Sequence, residues 1–254
     1  RNPTCYVRML QYSYQAIKSV RPDITVVGGA VFSADLLWFQ QIFQAGGLRY
    51  MDVVSDHPYP LLSSLSPERA YIPQEMNMLQ SLIKRYNNGV AKPIWVTELG
   101  WPTSLFNVDE QTQAEYLVRG AVLSLASGVQ KFFWYDYLND GTAFYASEQN
   151  FGLVRQPDGA GRYTPKPSYA AYATLIRQLT NQSFIGGGAI GNSIYDEHFS
   201  TVHVLWSTAD QRTITIASSV PLVVTTMTGK VRTYTPSAGR VVLSLSEDPL
   251  YVSR

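Results

Sequence analysis

Ile94-Trp95-Val96-Thr97-Glu98-Leu99-Gly100-Trp101 reads as a short strand that ends on a carboxylate and is closed by glycine. Its core does not alternate apolar with polar, so both of its faces are expected to be covered. A glutamate at the end of a buried strand carries a desolvation cost unless it is paired or used. Two readings of Glu98 follow. It is satisfied by a neighbouring arginine or by hydroxyls, or it is a functional group.

Outward from this strand, helix and strand periods alternate. Upstream, Ile72, Met76, Leu79 and Ile83 make a helical stripe that stops at Asn88-Gly89. Before it, Met51-Asp52-Val53-Val54-Ser55 is a strand, and Leu36, Phe39 and Phe43 mark a helix stopping at Gly46-Gly47. Ile24-Thr25-Val26-Val27, closed by Gly28-Gly29, is the first strand, after a helix carrying Val7, Leu10, Tyr14 and Ile17. Downstream, Asp109 is a candidate N-cap for a helix with Ala114, Leu117, Ala121 and Leu125 that ends at Gly128. Lys131-Phe132-Phe133-Trp134 is the fourth strand. A loop over about 136–166 leads to a helix with Tyr169, Tyr172, Ile176 and Leu179. Such alternation predicts a parallel sheet flanked by helices, either doubly wound or part of a (β/α) barrel. Near Asn181 the pattern changes. Gly186-Gly187-Gly188 reads as a flexible break, and short alternating runs follow from Thr201 to Leu245. They predict a small antiparallel β-sandwich. Residues 1–180 and 181–254 are therefore expected to be separate domains.

Composition narrows the function. The formal net charge is +1, which gives no footprint for nucleic acid or an anionic membrane. Seventeen tyrosines and five tryptophans against 15% charged residues suit a neutral, hydroxyl-rich ligand, although aromatics also fill cores. The single cysteine, Cys5, excludes an internal disulfide and a cysteine-built zinc site. With three histidines (His57, His198, His203) and no HExxH pair, no dedicated metal site and no cofactor are expected. No apolar run reaches the roughly 18 residues of a membrane span. Arg1-Asn2-Pro3-Thr4 is not a signal peptide, and the compartment is not readable from the chain. Gly186, Gly188 and Gly191 fit G-x-G-x-x-G but follow a helix and open none, so no dinucleotide site is expected. Asn181-Gln182-Ser183 is a glycosylation sequon, meaningful only in a eukaryotic secretory route.

Polar and aromatic residues gather just beyond the strand ends, where α/β folds bind ligands. They are Asp56-His57-Pro58-Tyr59-Pro60, Glu98-Leu99-Gly100-Trp101, and Trp134-Tyr135-Asp136-Tyr137. Taken singly, His57 and Trp134 read equally as core residues. Together these segments resemble the second half of a clan A glycoside hydrolase, a (β/α)8 barrel group whose xylosidase and iduronidase-like members are the nearest in flavour. The resemblance makes Glu98 the catalytic nucleophile at the end of the seventh strand. It places His57 and Tyr59 at the sixth strand, lining the sugar site, and Trp134 at the eighth as a floor under the sugar. Asp56, Trp101 and Asp136 join them as expected substrate contacts. Phe151-Gly152-Leu153-Val154, Lys166-Pro167-Ser168-Tyr169 and Asp248-Pro249-Leu250-Tyr251-Val252 match segments typical of these enzymes and their C-terminal sandwich.

The clan's acid/base is a glutamate in an Asn-Glu pair ending the fourth strand, and no Asn-Glu pair occurs here. The resemblance thus implies a half-barrel equivalent to strands 5–8, with Asp56 and Asp136 as fallback acids. Its open sheet edges imply a homodimer or a partner supplying the N-terminal half-barrel. Three functions follow as alternatives: a retaining glycosidase with a carbohydrate substrate, an inactive half-barrel that binds sugars, or a self-associating module.

Overall fold

The computed structural model describes residues 2–33, 35–209 and 211–254. Arg1, the first residue of the N-terminal stretch read above, lies outside them. The chain forms two compact units, residues 1–100 with 123–135 and residues 101–122 with 136–254.

The first unit alternates helix and strand. Its elements are α1 (Pro3–Val20), β1 (Val27–Phe32), α2 (Leu36–Gln44), β2 (Val53–His57), α3 (Ile72–Tyr86), β3 (Ile94–Leu99) and β4 (Val129–Trp134). The Asn2 side chain accepts from the Cys5 N–H and caps α1, and Asp35 caps α2 by accepting from the Trp38 N–H. Apolar stripes on α2 (Phe39, Ile42, Phe43) and α3 (Ile72, Met76, Leu79, Ile83) are buried, as are Val53, Val54, Ile94 and Val96 of the strands. Burying each such side chain contributes roughly 1.5–3 kcal/mol. The strands are parallel and ordered β1-β2-β3-β4, each beside its sequence neighbour. A doubly wound sheet reverses direction at a switch point. An unreversed order is that of successive staves of a barrel.

The first strand lies later than its β-branched run predicts. It begins at Val27 and passes through Gly28-Gly29 instead of ending there. At Gly29, φ is +113°, and a Cβ would stand 2.4 Å from the Ser55 carbonyl oxygen of β2. The glycine is what lets the two backbones approach, so here it belongs inside the strand.

The second unit holds the start of α4 (Glu110–Ala126), the loop after β4, α5 (Pro167–Leu179) and the antiparallel strands. As expected, the Asp109 side chain caps α4, accepting from the Thr112 N–H at 2.7 Å. The strands are β5 (Phe184–Ile190), β6 (Ile194–Phe199), β7 (His203–Ser207), β8 (Arg212–Ala217), β9 (Leu222–Thr226), β10 (Val231–Tyr234), β11 (Arg240–Leu245) and β12 (Leu250–Ser253). They form a six-stranded sheet, β10-β9-β12-β7-β6-β5, and a two-stranded sheet, β11-β8. Leu205, Leu222, Val224, Val241, Leu243, Leu245 and Val252 fill the core that the two sheets share. The fold is thus mixed α/β, a partial (β/α) barrel sheet with an antiparallel sandwich.

The expected break at Gly186-Gly187-Gly188 is instead the middle of β5, paired with β6. A Cβ on Gly187 would stand 2.3 Å from the Asp196 carbonyl oxygen. The change of strand type does fall near Asn181. Compactness, however, groups α5 with the sheets, because Gln178 of α5 reaches Thr225 of β9.

Glu197 of β6 is buried, and burial, then the charge of Asp196, pushes its carboxyl up to about 7. The folded state therefore binds more protons than the unfolded chain between pH 4.5 and 7. Stability falls as pH rises through that window, and the cost is complete above it. Glu197→Gln is expected to stabilise the protein by about 2–3 kcal/mol at pH 8 and by little at pH 4. Urea unfolding at the two pH values reads this difference.

Candidate active site

The site is built on the carboxyl ends of β2 and β3 in the first unit. Between Val96 and Leu99 the register to β4 shifts, with three residues of β3 advancing against two of β4. This bulge lets the consecutive residues Thr97 and Glu98 both meet side chains from β2 and the segment after it. The Thr97 hydroxyl lies 2.9 Å from His57 Nε2 and is also hydrogen-bonded to the Ser55 hydroxyl. Tyr59 O–H donates to Glu98 Oε1 at 2.9 Å, and His57 Nδ1 stands 3.6 Å from Glu98 Oε2. The Tyr59 ring is itself held by stacking on Phe32 at 5.4 Å.

Burial lowers the pKa of His57, and the charge of Glu98 only partly opposes this. The imidazole is therefore neutral at pH 7. A neutral His57 together with a donating Tyr59 leaves Glu98 an oriented carboxylate, half-buried and open on one side. This is the arrangement of an anionic nucleophile or of a general base.

Trp134 ends β4, half-buried, in register with Leu99 beside Glu98. Asp56 does not face this cluster. It alternates with Ser55 and His57, is 0% exposed, and sits against Glu75 of α3. Burial pushes its carboxyl up to about 6, while Glu75 and the His57 backbone act the other way. A carboxyl closed off in this way meets no sugar, so the expected substrate contact becomes a buried carboxyl pair. Trp101 is also 0% exposed, with the ring of Tyr116 edge-on at 5.6 Å. A ring with no open face cannot stack on a pyranose, and Trp101 is a core residue of the second unit. Asp136 lies in that unit too. Burial, then Asp140, pushes its carboxyl up to about 6, while Lys166 acts the other way.

Ser55 and Thr97 escaped the sequence reading. The available signal was a hydroxyl in each of two otherwise apolar strands, one residue short of a polar strand end.

The first unit is thus a partial barrel sheet with an oriented carboxylate at its strand ends. The sequence model of the glycosyl hydrolase catalytic core family matches residues 4–160, and the chain belongs to that family. No curated protein sequence matches it. Among solved structures, a family 39 glycoside hydrolase from the gut symbiont Bacteroides cellulosilyticus WH2 is similar at 28% identity and a TM-score of 0.82. That match covers 98% of this chain and 54% of the other. A family 51 arabinofuranosidase from Xanthomonas axonopodis pv. citri shares the fold at 11% identity and a TM-score of 0.63, with 97% of this chain and 62% of the other covered. A family 39 β-xylosidase from Caulobacter crescentus does so at 13% identity and 0.57, covering 97% and 61%. The chain thus spans about half to two thirds of the length of these relatives. No helix among the described residues is long and apolar enough to cross a membrane.

Proposed function

We propose that this chain carries the nucleophile side of a retaining glycoside hydrolase site, with Glu98 attacking the anomeric carbon. One observation carries the reading. Glu98 ends a barrel-type strand with Tyr59 O–H on one carboxylate oxygen and a neutral His57 beside the other. Membership of the glycosyl hydrolase catalytic core family supports it. The relatives named above make β-xylosides and arabinofuranosides the first substrate classes to try.

In the first step Glu98 displaces the aglycone and forms a glycosyl ester. The aglycone oxygen takes its proton from a second carboxyl about 5–5.5 Å from the first. Water, activated by that second group, then releases the sugar. Tyr59 and His57 fix the attacking oxygens, and Trp134 is the proposed sugar platform. No Asn-Glu pair exists in the sequence, so the second carboxyl is proposed to come from a second copy or from an N-terminal half-barrel. Among the described residues, β1 and β4 each have a strand on one side only, which suits such closure.

The test is a 2-deoxy-2-fluoro glycoside with a dinitrophenyl leaving group, which departs without protonation. Peptide mass spectrometry is expected to find the sugar ester on Glu98. A label on another carboxyl, or sugar binding with no label across the panel, overturns the reading. The second outcome leaves the sugar-binding module in its place.

Tyr59→Phe tests the orienting bond. A hydrogen bond to a charged group contributes about 1.5–3 kcal/mol, so kcat/KM is expected to fall roughly 10- to 100-fold. The phenyl ring keeps its stacking on Phe32, so the fold is expected to stand.

A further inference from the structure

The two histidines outside the site above, His198 and His203, lie together on the sandwich. Asp196 and His198 occupy alternate positions of β6 and so share one face, and His203 of β7 is the register partner of His198. His198 Nε2 lies 3.0 Å from Asp196 Oδ2, and His203 Nδ1 lies 3.1 Å from Asp196 Oδ1. One ligand atom from each of the three residues falls within 4.8 Å of the others. In tetrahedral zinc sites with bonds of about 2.0–2.2 Å, neighbouring ligand atoms stand about 3.3–3.6 Å apart. The two histidine–carboxylate distances are close to this spacing but run to different oxygens of Asp196, so the side chains reorient to converge on one ion.

The surroundings leave the cluster reachable. Gly188 and Gly186 of β5 pair with Asp196 and His198 and point to the same face. Both have positive φ, and a Cβ on either would meet open space. Asp196 is 17% exposed at its side chain, His198 37% and His203 46%. The bare glycine strand thus opens one side of the cluster to water. Burial pulls the Asp196 carboxyl up, but hydrogen bonds from His203 and His198 outweigh it and hold the group below its usual value. It is ionised at neutral pH, as a ligand must be.

We propose that Asp196, His198 and His203 form a divalent transition-metal site of the zinc type, with a fourth position open to water. Two imidazoles and one carboxylate select zinc and its neighbours over calcium and magnesium, which take oxygen ligands. The bound ion ties β6 to β7 across the register pair His198–His203. Such a ligand set does not show in a single stretch of sequence, unlike ligands at helical or Cys-x-x-Cys spacing. Here two ligands alternate on one strand and the third comes from the next.

The test is titration of the full metal-free chain with zinc chloride by calorimetry, repeated with cobalt(II) for its tetrahedral absorption bands. One ion per chain is expected, with micromolar affinity and a raised unfolding temperature. Asp196→Asn or His203→Gln is expected to weaken binding at least tenfold, and the two together to abolish it. Circular dichroism of the metal-free variants checks that they fold. A second readout needs no variant. Zinc is expected to protect His198 and His203 from diethylpyrocarbonate, while magnesium does not. No binding, binding kept in the double variant, or absence of protection each overturns the proposal and leaves a hydrogen-bonded triad.

Discussion

Glu98→Gln is expected to abolish release of dinitrophenolate from activated glycosides, with a rate loss on the order of 10⁴–10⁶. The amide has nearly the size and shape of the carboxylate and still offers an oxygen to Tyr59 O–H. What it lacks is the charge and the nucleophilic lone pair. Sugar affinity is therefore expected to stay within a few-fold of the parent, measured by calorimetry, while turnover vanishes. The activated leaving group matters to the design. An ordinary glycoside also needs the acid, whose absence costs about 10²–10⁴. The dinitrophenyl substrate removes that dependence from the first step, so the initial release of dinitrophenolate reads Glu98, while release of the sugar still draws on the second carboxyl. A variant that hydrolyses as fast as the parent sinks the nucleophile assignment.

The largest expected loss of stability comes from Lys166, at the entry to α5. Its side chain is 2% exposed and its ammonium donates to Thr103 Oγ1, Asn139 Oδ1 and the Asn150 carbonyl at 2.9–3.0 Å. All three of its protons are used, and three separate segments of the second unit are joined through them. Lys166→Met keeps the aliphatic stem but takes the donor from Asn139 Oδ1 and Thr103 Oγ1, while the Asn150 carbonyl keeps the Thr103 N–H. Leaving a buried acceptor without its donor costs about 1–3 kcal/mol for each. Burial already pushes the Lys166 pKa down to about 8, so removing the charge relieves part of its desolvation. The expected loss is thus at the lower end, about 3 kcal/mol. It is read as a fall in the urea midpoint with unchanged slope. A change below about 1 kcal/mol shows that water can replace the ammonium.

Much of this architecture was legible in the chain. The alternation of periods gave the helix and strand order of the first unit, because each period reports which face of an element is buried. Glu98 stood out because a carboxylate ending an apolar strand has a physical cost that calls for a partner. The cap at Asp109 and the opening of α5 at Pro167 were equally local. Glycine misled the reading twice. At Gly29 and Gly187 it marked the close approach of a neighbouring strand, not a chain break. From one strand's sequence these two causes look the same.

The sequence by itself determined the elements, their alternation and the carboxylate at the strand end. Each of these depends on residues within a few positions of one another. Tertiary structure decided how side chains meet that carboxylate and which polar neighbours turn away from it. Tyr59 reaches Glu98 across 39 residues, through the register of β2 on β3 and a bulge that turns Thr97 and Glu98 the same way. The same register turned Asp56 toward Glu75, and packing closed Trp101 against Tyr116. It also brought His203 opposite His198. Strand register is set by the sum of long-range packing, and a one-residue slip would exchange every face.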